Sequence, residues 1–110
     1  NSVRLRPTTD MAGGLEVFEF LKGYWVEYQV NITNEYDHVI NFRYAAISAS
    51  TLEIYIDGEI SATCNLPSTI TESSWSTIST PVNLSTGKHT IKLKISTGSI
   101  ALNWISINKK

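Results

Sequence analysis

The chain is 110 residues long and 42% hydrophobic, enough for one buried core of ordinary domain size. Nine lysines and arginines against ten aspartates and glutamates leave a net charge of −1, without the basic stripe that non-specific nucleic-acid binding needs. No apolar run reaches the length of a membrane-spanning helix, so neither nucleic acid nor membrane is expected as a partner.

The opening "NSVRLRP" carries no signal-peptide pattern and reads as the start of a mature or excised domain. "LEVFEFL" then alternates, with Leu15, Val17, Glu19 and Leu21 in one phase and Phe18 and Phe20 in the other. After a break at Lys22-Gly23, "YWVEYQVNI" puts Val26, Tyr28 and Val30 on one face and Trp25, Glu27 and Gln29 on the other. If the first face makes a core, Trp25 stands on the wet side beside a carboxylate and an amide. The polar "TNEYD" precedes "HVINFRYAAIS", where Ile40, Phe42 and Tyr44 share a face and Asn41 and Arg43 share the other.

"TLEIYID" points Leu52, Ile54 and Ile56 inward and Glu53, Tyr55 and Asp57 outward. Asp57-Gly58 is a hairpin signal leading into "EISATCNL". The Ser/Thr-rich "PSTITESSWSTIST" holds Trp75 and lies between strand-like runs, so it reads as a long loop rather than a linker. "STGK" turns into "HTIKLKIS", with Ile91, Leu93 and Ile95 inward and Lys92 and Lys94 outward; a Ser-Thr-Gly-Ser turn then leads to "IALNWISIN". No segment keeps helical spacing. Short strands with turn signals between them predict an all-β chain, an antiparallel β-sandwich. Val26, Tyr28, Phe42, Ile54, Ile56, Ile91 and Leu93 are expected in or lining its core.

Residues capable of chemistry are few. The single cysteine, Cys64, excludes an internal disulfide and reads as a small buried hydrophobe. His38 and His89 lie at turn edges far from any nucleophile and read as solvated turn residues. Glu27 and Glu53 are the carboxylates that a glycosidase would need to pair, but both project from an open face, so catalysis is not expected. Asp10 in "TTDMAGG" reads as a turn-former rather than a calcium ligand. Asn31-Ile32-Thr33 and Asn83-Leu84-Ser85 are glycosylation sequons, meaningful in a eukaryotic secretory host.

The order of motifs carries more than any of them alone. "RPTTDMAGGLEVFEFLKGYWVEYQVNI", "FRYAAIS", "LEIYIDG", "SSWSTISTPVNLSTGKHTIKL" and "LNWISIN", in this sequence and with these gaps, resemble the family 6 carbohydrate-binding modules across essentially the whole chain. The resemblance implies a jelly-roll-like sandwich spanning residues 1–110 as one domain. It also implies a secreted, non-catalytic module that binds a polysaccharide or oligosaccharide and is covalently linked to a polysaccharide-degrading catalytic domain. Members usually begin one strand earlier, which leaves a sheet edge to explain.

Two sites follow from the resemblance. In the loop cleft at one end of the sandwich, Trp75 matches one of two sugar-gripping aromatics and is expected to carry most of the binding, with Trp25 on the sheet face as the rival platform. Its partner's position is Glu19, with Phe20 one residue away; the usual asparagine falls at Ala101, leaving Asn103, and Arg6 stands where an acidic residue is common. On the sheet face, Trp25 matches the family tryptophan and Tyr55 a polar position, with Arg43, Glu27, Glu53 and Gln29 nearby by parity. The resemblance also puts Trp104, from the Leu-Asn-Trp-Ile match, into the core. The family's structural calcium often uses an aspartate where this chain has Ser106, so no cofactor is expected beyond an optional calcium. The departures at Glu19 and Ala101 keep a second reading open, a structural or protein-interaction sandwich that has lost sugar binding.

Overall fold

The computed structural model describes residues 4–7, 15–33, 37–71 and 74–109, with side chains described from residue 20 onward, residue 109 excepted. Among the described residues, alternating apolar side chains and tight turns give nine strands: β1 (Arg4–Pro7), β2 (Leu15–Leu21), β3 (Trp25–Ile32), β4 (His38–Ala45), β5 (Ser50–Ile56), β6 (Glu59–Leu66), β7 (Ser76–Val82), β8 (Gly87–Thr97) and β9 (Ser99–Lys109). They form a five-stranded sheet, ordered β1-β2-β9-β4-β7, and a four-stranded sheet, ordered β3-β8-β5-β6. Every strand pairing is antiparallel. The architecture is the sandwich that the alternation predicts.

Period-two patterning decides what lies between the sheets. Phe20, Ile40, Phe42, Tyr44 and Leu102 from one sheet meet Leu52, Ile54, Leu66, Ile91, Leu93 and Ile95 from the other, each less than 2% exposed. Burying each such side chain contributes about 1.5–3 kcal/mol. Val26, Tyr28 and Ile56 are half-buried against this cluster, and Cys64 is buried within it. Burial pushes the Cys64 thiol up, as befits an inert small hydrophobe. The Asp57-Gly58 hairpin forms as its dipeptide predicts, with φ of 52° and 87°.

Several expectations need correction. Residues 76–80, expected in the loop, belong to strand β7: β-branched Thr77, Ile78 and Thr80 pair with β4, and Ile78 packs against the core. His38 is not solvated but 3% exposed at the start of β4. Trp104 is not in the core; it is 37% exposed. The cause is a β-bulge: Arg43 pairs with Trp104 while Tyr44 pairs with Leu102, leaving Asn103 as the extra residue. Leu102 faces inward, so uninterrupted alternation would bury position 104; the bulge turns the indole out.

Candidate functional site

The outer face of the four-stranded sheet is built by register. One row across the strands runs Trp25, Lys94, Glu53, Thr63; the next runs Glu27, Lys92, Tyr55, Ile60. The two aromatics therefore stand on one diagonal and the two carboxylates on the other, with a lysine between each pair. Gln29, opposite Thr90, begins a third row. Lys92 Nζ lies 4.8 Å from the Trp25 ring centroid and 5.3 Å from that of Tyr55. The Tyr55 hydroxyl donates to Glu53 Oε1 at 3.0 Å, and this bond raises the phenol above its ordinary value. Trp25 and Tyr55 are half-buried, each leaving part of a ring surface to solvent.

This face gathers Trp25, Tyr55, Glu27, Glu53 and Gln29, but not Arg43. Parity alone could not tell which sheet a strand joins. Arg43 lies on β4 of the other sheet, where its Nη1 donates to Thr77 Oγ1 at 3.1 Å.

The loop end of the sandwich is organised differently. The segment before β7 is tied to the β4–β5 connection: Thr69 N–H donates to Ala46 O at 2.7 Å, Ala46 N–H to Thr69 Oγ1 at 2.9 Å, and Tyr44 Oη to Pro67 O at 2.7 Å. This scaffold carries Trp75, half-buried just before β7. Phe20, a candidate for its partner ring, is 0% exposed and belongs to the core, so it cannot stack on a ligand. Ala101 is 6% exposed and brings no hydrogen-bonding group. Asn103 is half-buried on the bulge. Arg6 lies on β1 opposite Glu16, and Glu19 on β2; their side chains, like the whole of Asp10, fall outside the described residues.

A third polar cluster joins the β5–β6 turn to β8. His89 Nδ1 lies 2.6 Å from Asp57 Oδ2, and its Nε2 lies 2.7 Å from Ser85 O. Thr90 N–H donates to Asp57 Oδ1 at 2.9 Å. His89 is 11% exposed, so it is not the solvated turn residue that its position suggests. A cavity of about 830 Å³ opens beside this pair, between Asp57, Glu59, Asn83 and Ser85.

Among the described residues, no group of three or more His, Cys, Asp or Glu side chains is placed to hold a metal ion. Ser106 offers a hydroxyl where the family's carboxylate ligand is expected, so the described residues do not fit that calcium site.

The molecule is a two-sheet antiparallel sandwich whose four-stranded face presents an open row of aromatic, carboxylate and ammonium groups. The chain belongs to the carbohydrate binding module family 6, whose sequence profile matches residues 1–109. It is a polysaccharide-binding module.

Two solved structures illustrate the likeness. A family 6 module from Cellvibrio mixtus lichenase 5A, in complex with cellotriose, superposes with a TM-score of 0.89 and is 33% identical. The match covers 98% of this chain and 87% of that one. The C-terminal module of LamC, a marine laminarinase from Zobellia galactanivorans, also gives 0.89, at 26% identity over 99% and 90% of the two chains. The clotting factor G alpha subunit of Tachypleus tridentatus is 27% identical over 99% of this chain, which spans 17% of that protein. The cycloisomaltooligosaccharide glucanotransferase of Niallia circulans is 34% identical over 76% of this chain, which spans 9% of it.

Proposed function

We propose that the glycan lies on the outer face of the four-stranded sheet, with Trp25 as its main platform. The observation that carries this reading is the convergence of Trp25, Tyr55, Glu27 and Glu53 around Lys92 and Lys94 within two adjacent rows. A pyranose ring presents an apolar C–H face and a belt of hydroxyls. Indole and phenol surfaces take the first; carboxylates accept from the second and ammonium groups donate to it. Trp25 stands on the wet side of its strand to make that contact. The departures at Glu19 and Ala101 weaken the loop cleft alone and leave this face intact.

The bound material we favour is a β-linked glucan, by analogy with the cellotriose complex of the 33% identical lichenase module. An open face with few polar groups supports micromolar to millimolar affinity. The module is non-catalytic. Glu27 and Glu53 sit two strands apart on a diagonal, about 12 Å between Cα atoms from ideal strand spacings, with lysines between them. Glycosidase carboxylates flank a bond held in a cleft, whereas these two project from an open sheet face. As one module of a longer secreted protein, the chain would hold an appended glycan-degrading enzyme near its substrate.

A second reading places the sugar at the loop end, on Trp75. It is favoured by exposed apolar side chains at that end, Ile47 at 58% and Ile70 at 81%. Affinity electrophoresis of the isolated module through gels of β-glucans, beside a reducing-sugar assay, tests the function itself. Retardation without sugar release is expected. Release above a heat-killed control that disappears in Glu27→Gln or Glu53→Gln would overturn the non-catalytic assignment.

A further inference from the structure

Trp104 belongs to neither of these surfaces. It projects from β9 onto the outer face of the five-stranded sheet, the side of the sandwich opposite Trp25. It is 37% exposed, one of the large apolar side chains left at the surface. The bulge at Asn103 produces this placement: Leu102 faces inward before it and Ile105 and Ile107 pack inward after it, so Trp104 faces out. Bulges serve to re-aim side chains, at the cost of a ladder position.

We propose that this surface is a second glycan contact, which makes the module bivalent. Arg43 stands directly across from Trp104, and its bond to Thr77 Oγ1 holds the guanidinium along the sheet rather than out in solvent. The next row carries Asn41 and Ser79, with the Ser79 hydroxyl donating to Asn41 Oδ1. A stacking ring is therefore flanked by guanidinium, amide and hydroxyl groups, the mixture that a sugar's apolar face and hydroxyl belt require. An isolated exposed tryptophan is ordinary. One turned outward by a bulge and set beside a hydrogen-bonding row is a built surface.

Two contacts on opposite sides of one small sandwich cannot close on the same short segment of glycan. They bind separate chains or distant parts of one chain. Linkage of that kind raises retention by polymeric glycan without a new contact at either face. This inference rests on the module's polysaccharide binding, not on which of the other surfaces is used.

The test uses a soluble mixed-linkage β-glucan with the parent, Trp104→Ala, Arg43→Ala and Trp25→Ala proteins and the Trp25/Trp104 double variant, each checked by thermal melting. Trp104→Ala should weaken retention in glucan gels at least fivefold and abolish the turbidity that a bivalent parent produces with the polymer. The double variant should be weaker than either single one. Parent-like retention and turbidity in Trp104→Ala, with a native melt, overturns the proposal. If Trp104→Ala does not fold, Arg43→Ala decides by the same two readouts. Failure of the four-stranded-sheet reading shows separately, as parent-like binding by Trp25→Ala.

Discussion

Lys92 Nζ stands 4.8 Å from the centroid of the Trp25 ring and 5.3 Å from that of Tyr55, so one ammonium joins the two aromatic residues of the four-stranded face. The register demands this: Lys92 is the direct neighbour of Tyr55 and sits one row from Trp25. In the proposed site that lysine would order both rings in advance, which lowers the entropy cost of binding.

That relationship can be measured without ligand. A double-mutant cycle of Trp25→Ala and Lys92→Ala, followed by denaturant unfolding, should give a coupling of about 0.5–1 kcal/mol for a cation–π contact near the surface. A coupling indistinguishable from zero would mean that the ammonium does not dwell over the indole.

A second prediction concerns Gly98, in the turn between β8 and β9. Its φ is +79°, and a Cβ built there would lie 2.3 Å from Ser50 Oγ and 2.9 Å from Ser50 Cβ. Ser50 is itself held by bonds to the carbonyls of Ser48 and Ser99, each 3.2 Å long, so it has no easy retreat. Gly58 has a similar φ of +87° with nothing within 4 Å of the added atom. Gly58→Ala should therefore cost about 1–2 kcal/mol from the left-handed backbone alone. Gly98→Ala adds an overpacking cost of about 1–3 kcal/mol on top. Chemical denaturation of the two variants checks the order; equal losses would contradict the close approach of Ser50.

The Asp57–His89 pair makes stability depend on pH in a defined direction. Hydrogen bonding to Asp57, then to the Ser85 carbonyl, raises the His89 imidazole above its ordinary value. The Thr90 N–H, then His89, holds the Asp57 carboxyl below its own. A raised histidine stabilises fully below its unfolded value of about 6.5, and that contribution disappears as pH rises through the folded value. A lowered aspartate stabilises above its unfolded value of about 3.9, and that part is lost as pH falls through the folded value. The pair thus contributes most between about pH 4 and 6.5. Melting temperature should fall from pH 6 to pH 9, and more steeply in the parent than in His89→Gln or Asp57→Asn. The asparagine tolerates the left-handed φ of 52°, so this variant separates charge from turn geometry. Parallel profiles for parent and variants would contradict the assignment.

The sandwich was legible because alternation in "TLEIYID", "HTIKLKIS" and "YWVEYQVNI" is regular and turns such as Asp57-Gly58 are unambiguous. Parity also put Trp25, Glu27 and Gln29 on one face, and Glu53 and Tyr55 on one face. It could not show that β3 and β5 share a sheet with β8 between them while β4 does not. That is a fact of long-range pairing, and it is why parity alone groups Arg43 with the wrong surface. The resemblance puts Trp104 in the core, and the structure differs for a local reason: one bulged residue reverses every later side chain, and nothing in "LNWISIN" marks Asn103 as the extra one. His38 and His89 look like turn residues by their neighbours, yet both fold into the structure because of partners distant in sequence.

The central claim is that the four-stranded face, with Trp25 at its centre, holds the glycan. Isothermal titration of cellohexaose and laminarihexaose into the parent, Trp25→Ala and Trp75→Ala proteins tests it most directly, with melting curves confirming that each variant folds. At least a tenfold loss of affinity, about 1.4 kcal/mol, is expected for Trp25→Ala and less than a threefold change for Trp75→Ala. Binding that survives Trp25→Ala but disappears in Trp75→Ala would contradict it and place the site at the loop end.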